Sequence, residues 1–152
     1  MGILDAIFSL LYPGRHYGIP GKTRQGVPVR SRAELRIADY FDRLPLRYEY
    51  EKEIRTGFWI FTRKVSCPDF YLPDHDVYVE YWGMLDVADA RERSKYERLM
   101  RYKMACYHSL GIKFISLYPD NLRNLDQVFP NKFKQATGSS LPIDAGAPKI
   151  RP

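Results

Sequence analysis

Cysteine is nearly absent from this chain: Cys67 and Cys106 are the two among 152 residues. Two thiols make no disulfide framework, and neither stands in a C-x-x-C or H-x-x-H spacing that would build a zinc site with His75 or His108. Long apolar runs are missing as well, since none approaches the ~20 residues that a membrane-spanning helix needs. The opening MGILDAIFSLL is apolar but carries no basic segment and no small-residue cleavage site, so no secretory signal is expected. These absences point to a reducing cytoplasm. No glycine-rich loop of the Walker or dinucleotide type occurs, which excludes a nucleotide-driven motor. With 45% hydrophobic and 28% charged residues the chain can bury a core and is not a disordered polyelectrolyte. One compact domain with short arms is expected at this length.

Acidic residues are scarce only at the two ends. The net charge is +6, and residues 1–30 carry Arg15, Lys22, Arg24 and Arg30 against Asp5 alone. Residues 131–152 carry Lys132, Lys134, Lys149 and Arg151 against Asp144, while the span between is balanced. Basic Gly/Pro-rich flanks on a neutral domain suit contact with phosphates, and equally suit plain solubility.

The chain divides into an arm over 1–30, a domain over 31–136 and a flexible tail over 137–152. Residues 3–11 have the spacing of a short amphipathic helix, with Ile3, Ile7, Phe8 and Leu11 on one side. Residues 12–30 read as a linker because glycine and proline recur too often. Ser31-Arg32-Ala33-Glu34 is a capping-box pattern opening a helix to about Leu44, before Pro45. Strands are expected over 46–53 and 58–64, with Thr56-Gly57 near the turn, then a hairpin over 65–82 about Pro73-Asp74-His75-Asp76. A helix over 92–110 ends at Gly111, 113–118 is a short strand, and 120–129 is a last helix capped by Asp120. The order αβββαβα predicts an α/β domain with a mixed sheet flanked by helices.

The segment PDFYLPDHDVYVEYWG (68–83) holds the first clue. A loop centred between Asp74 and His75 pairs Leu72 with Val77, Phe70 with Val79 and Asp69 with Glu80. The apolar four then share one face and the two carboxylates the other. Two carboxylates side by side repel unless a cation lies between them, and a hard divalent ion such as Mg²⁺ suits oxygen donors; an acid pair at a solvated strand end is the plainer alternative. Glu34 lies on the apolar stripe of Ile37, Ala38 and Phe41, and is also the capping-box glutamate; the two roles are compatible. Lys103 falls in the middle of the stripe of Tyr96, Leu99, Met100, Cys106, Tyr107 and Leu110. It must snorkel outward or meet a negative partner.

Arg30-Ser31, Glu34, Tyr50-Glu51, Pro68-Asp69-Phe70, Glu80-Tyr81-Trp82-Gly83 and Lys103, in that order, resemble the PD-(D/E)XK nuclease superfamily, whose core is the restriction-endonuclease-like fold. The likeness spans about residues 29–129 and is nearest to stand-alone or helicase-appended members. It implies hydrolysis of DNA phosphodiesters with Mg²⁺ or Mn²⁺ held by Asp69, Glu80, the main-chain carbonyl of Tyr81 and Glu34. Trp82 stands where the motif has lysine, so the resemblance implies a lysine displaced to the following helix: Lys103, with Lys95 as runner-up. Arg30, Arg32, Lys95 and Arg98 are the residues expected on the DNA backbone. A homodimer joined through the N-terminal segment, or a helicase or other DNA-processing partner, would fit such an enzyme. The alternative is a catalytically silent nucleic-acid-binding or assembly module of the same fold.

Overall fold

The computed structural model describes residues 20–58 and 61–142; the 3–11 helix and the end of the tail lie outside them. Residues 20–30 are not a bare linker. They fold into a small antiparallel hairpin, β1 (Gly21–Lys22) and β2 (Pro28–Val29), closed through Gly26 at φ 84°. Val29 and Thr23 are buried, which ties the arm's end to the domain.

Ser31 caps helix α1 (Arg32–Phe41) by accepting the Glu34 N–H, as the sequence pattern predicts. The helix stops three residues short of Leu44, passing through turns over 42–45. Strand β3 is reduced to Glu49–Tyr50, because Glu51 adopts φ 51° and breaks the expected alternation. The chain then leaves the sheet as a separate ribbon of β4 (Ile54–Phe58) and β5 (Phe61–Ser66), bulged at Ile54/Arg55. Thr56-Gly57 therefore lies within β4 rather than at a turn.

Strands β6 (Phe70–Leu72) and β7 (Val77–Tyr81) pair as Phe70 with Val79 and Leu72 with Val77, the register expected from a loop centred between Asp74 and His75. A 3-10 turn (Gly83–Asp86) leads to helix α2 (Ala90–Ser109), capped by Asp89. Gly111 follows with φ 65° and lets the chain turn into β8 (Phe114–Leu117). The last helix differs from the sequence reading. A 3-10 segment (Pro119–Asn124) occupies its expected start, and α3 runs over Leu125–Thr137 with Pro130 inside it. Apolar packing outweighs proline here, since Leu125, Phe129 and Phe133 all point into the core.

The protein is thus mixed α/β. Its sheet has the order β3-β6-β7-β8, antiparallel except for the parallel β7–β8 pair. Alternation along β6, β7 and β8 sends Phe70, Leu72, Val77, Val79, Ile115 and Leu117 to one face, against α1 and α3. Phe41 is the centre of that core, edge-on to Phe70 at 5.5 Å and tilted against Phe129 at 5.2 Å. Leu141, four residues past the end of α3, is packed into the same core. On the opposite side, a smaller cluster of Trp82, Met84 and Tyr96 is joined by half-buried Met100 and Met104 of α2. Met100 and Cys106 are only half-buried, and Leu110, expected on the buried stripe, is 43% exposed at the helix end. Phe41→Ala should destabilise the fold by about 3–5 kcal/mol, read as a lowered midpoint in urea unfolding.

Candidate functional site

The site begins with a side chain that strand alternation forces inward. Val77, Val79 and the core occupy one face of β7, so Glu80 faces α2, where its side chain keeps 7% exposure. An isolated carboxylate there would be costly. Lys103, projecting from the middle of α2, forms an ion pair with Glu80 Oε1. Tyr107, one turn further on, donates to Glu80 Oε2 at 3.1 Å. Ser66 of β5 closes the chain, its hydroxyl 2.7 Å from that of Tyr107. Lys103 has therefore met a negative partner and not snorkelled; its ammonium also lies 5.5 Å from the centre of the Trp82 ring. Trp82, two residues after Glu80, is a buried ring. Its Nε1 is one of the few buried polar atoms without a hydrogen-bond partner among the described residues.

Asp69 precedes β6, so the expected rung opposite Glu80 does not form; the ladder ends at Phe70 with Val79. Its carboxylate reaches across instead, and Oδ2 accepts the Tyr81 N–H at 2.6 Å. Burial, then the charges of Glu80 and Glu34, push the Asp69 carboxyl well above the usual carboxylate range. The Tyr81 N–H and Lys103 only partly oppose them. The Tyr81 ring packs over Gly83, where an added Cβ would stand 2.5 Å from Tyr81 Cε1. That close approach accounts for glycine at the end of Glu80-Tyr81-Trp82-Gly83.

Glu34 approaches the same corner from the start of α1. Oε1 accepts the Ser31 hydroxyl at 2.8 Å, and Oε2 accepts the Tyr50 hydroxyl at 2.6 Å and the Arg30 N–H at 2.9 Å. Burial and this carboxylate together push the Tyr50 phenol far upward. Glu34 thus reaches back over the helix start to the Arg30 N–H rather than to the Ser31 N–H of a reciprocal capping box, and its charge is felt by Asp69.

Glu34, Asp69, Glu80 and Lys103 share one electrostatic neighbourhood, with Asp69 the group that feels the other three. Among the described residues no group of three or more His, Cys, Asp or Glu side chains is placed to hold a metal ion. Glu34 is spent on its cap and on Tyr50. Of the other two carboxylates, both Glu80 oxygens are taken by Lys103 and Tyr107, and Asp69 Oδ2 by the Tyr81 N–H, so a hard divalent ion there would have to share or displace these partners. Lys95 is half-buried and makes no ion pair with this cluster, so it is Lys103 that meets Glu80. Arg30 is exposed and pairs with Glu51 at 2.9 Å. Arg32 and Arg98 are exposed on α1 and α2. The Cys67 thiol donates to the Glu51 carbonyl at 2.8 Å.

Sequence reasoning missed Ser66, and Tyr107 as a partner of Glu80. Tyr107 was legible as i+4 from Lys103, hence on the same helix face. Ser66 was not, because its placement depends on how the ribbon folds back. Comparison with protein-family models, curated proteins and solved structures finds no match, so the site stands on its geometry.

Because Asp69 ionises against burial and like charge, the native state loses stability as pH rises from the unfolded carboxylate range through the raised native value. Asp69→Asn should therefore raise the melting temperature at pH 8 by a few degrees, on the order of 1 kcal/mol, and by much less at pH 4. Tyr107→Phe should cost about 1–3 kcal/mol by stranding Glu80 Oε2 and Ser66, measured by chemical unfolding.

Proposed function

We propose that this protein is a metal-dependent deoxyribonuclease of the PD-(D/E)XK class, with the mixed sheet as a restriction-endonuclease-like core. The observation that carries the reading is the pairing of Lys103 with Glu80 beside Asp69. It supports a displaced motif lysine, on the helix that the sequence pattern singled out. Asp69, Glu80 and the Tyr81 carbonyl are the groups that would hold Mg²⁺ or Mn²⁺, with Glu34 acting through water or at a second ion. The donor chemistry fits, since three carboxylates and one lysine leave the corner short of positive charge. Such an ion supplies Lewis acidity toward a phosphoryl oxygen and toward the attacking water.

The remaining roles belong to the chain. Lys103 offers a cation beside the scissile phosphate, where negative charge grows in the transition state, and can orient the attacking water. Tyr107 and Ser66 hold Glu80 in place when Lys103 turns toward substrate. Glu34 and Tyr50 fix the α1 side of the acid corner, and exposed Arg32 and Arg98 are suited to phosphate contact. A second reading is favoured by Trp82 and by the full engagement of both Glu80 oxygens: a silent DNA-binding module that keeps the fold.

The test is cleavage of end-labelled single-stranded, duplex, flapped and four-way-junction DNA with Mg²⁺, Mn²⁺ or chelator. We expect metal-dependent cutting that Asp69→Asn, Glu80→Ala and Lys103→Ala reduce by at least about 100-fold, with DNA binding largely retained. Asp69→Asn is the decisive variant because it should be more stable than the parent yet inactive. Wild-type turnover in that variant would discard the nuclease assignment. Tight DNA binding without cutting under any metal would favour the silent module.

A further inference from the structure

Helix α2 turns one face to the acid corner, and the face beside it is basic. Arg91, Lys95, Arg98 and Tyr102 follow one another at i, i+4, i+7 and i+11. At 3.6 residues per turn they fall within about 60° of arc and about 16 Å of helix length. Arg91, Arg98 and Tyr102 are exposed, and Lys95 is half-buried. The other lysine and arginines of the helix are occupied: Arg101 pairs with Glu97, the Arg93 guanidinium donates to the Val87 carbonyl, and Lys103 meets Glu80. Arg91, Lys95 and Arg98 have no ion-pair partner among the described residues. The helix has two acids, Glu92 and Glu97, and neither falls on this stripe.

Tyr102 is the second mark. Its side chain is 53% exposed, one of two large apolar side chains left open among the described residues. Uncompensated cations in line with a bare aromatic ring are satisfied together by a polyanion that also carries flat apolar faces. An unpaired nucleotide strand has both. A duplex presents base edges, with the faces stacked inside, and an acidic peptide has the charge alone.

We propose that this stripe binds single-stranded DNA, with Arg91, Lys95 and Arg98 holding phosphates and Tyr102 stacking on a base. That the strand is DNA, and is the one to be cut, rests on the nuclease reading. Tyr102 precedes Lys103 in the chain, so one helix carries the stripe and, about a third of a turn round, the lysine of the acid corner. Tyr102 is then the residue that selects unpaired over duplex substrate.

The test is binding to the full chain in chelator, where no cleavage is read. Fluorescence anisotropy follows a labelled oligothymidylate and a duplex of equal length at several salt concentrations, with poly-glutamate as competitor. The Tyr102→Ala, Tyr102→Phe and Arg91→Gln/Lys95→Gln/Arg98→Gln proteins are compared with the parent after circular dichroism confirms their fold. Tyr102→Ala should weaken single-strand binding about tenfold, Tyr102→Phe should retain it, and duplex binding should not change. The triple variant should lower the salt slope on the single strand by about 2, for three lost contacts. Parental affinity in Tyr102→Ala, or a parental slope in the triple variant, would overturn the proposal, as would a parent that binds no oligothymidylate. Equal losses on duplex and single strand in Tyr102→Ala would overturn it as well. So would displacement by poly-glutamate as effective as by unlabelled oligothymidylate, in favour of an acidic peptide. Single-strand binding that depends on Tyr102, in a protein that cuts no DNA with any metal, would uphold the stripe and remove the nuclease reading, so the two fail separately.

Discussion

The ion pair between Lys103 and Glu80 is the contact on which the arrangement of this protein turns. A carboxylate on the covered face of a central strand carries a desolvation cost of several kcal/mol, and the structure meets it from one helix. Lys103 and Tyr107 lie one turn apart on α2, so one register of that helix over β7 supplies both partners. A shift of α2 by a single residue would strand the charge. The pair thus fixes how α2 lies on the sheet with more precision than the small apolar cluster of Trp82, Met84 and Tyr96 would do alone.

From that anchor the polar corner extends along the chain. Tyr107 passes the network to Ser66, which joins the β4–β5 ribbon to α2. Asp69 is held by the Tyr81 N–H, at the point where the strand pairing ends. Glu34 arrives from the opposite face through a helix cap shared with Tyr50. Glu34, Asp69, Glu80 and Lys103, from three elements and the loop before β6, therefore share one electrostatic neighbourhood. The cost falls on Asp69, whose carboxyl sits amid burial and like charge.

Much of this was legible in the residues alone. Ser31 and Glu34 announced the start of α1, since capping is settled by atoms three residues apart. The β6–β7 register followed from alternation about a turn, so the opposition of Phe70 to Val79 needed no tertiary knowledge. Lys103 stood out because a charge within an apolar stripe must find a partner. What sequence could not supply were outcomes of competition between distant groups. The strand at 46–53 shrank to two residues because Glu51 kinks the chain toward a ribbon whose packing partners lie elsewhere. The last helix ran through Pro130 because Phe129 and Phe133 gain more by burial than the backbone loses. Asp69 found the Tyr81 amide in place of a rung with Glu80, and Ser66 reached Tyr107 across 41 residues of chain. Local spacing decides caps, turns and faces; only the folded chain decides which of two polar groups answers a buried charge, because that depends on distances no sequence interval sets.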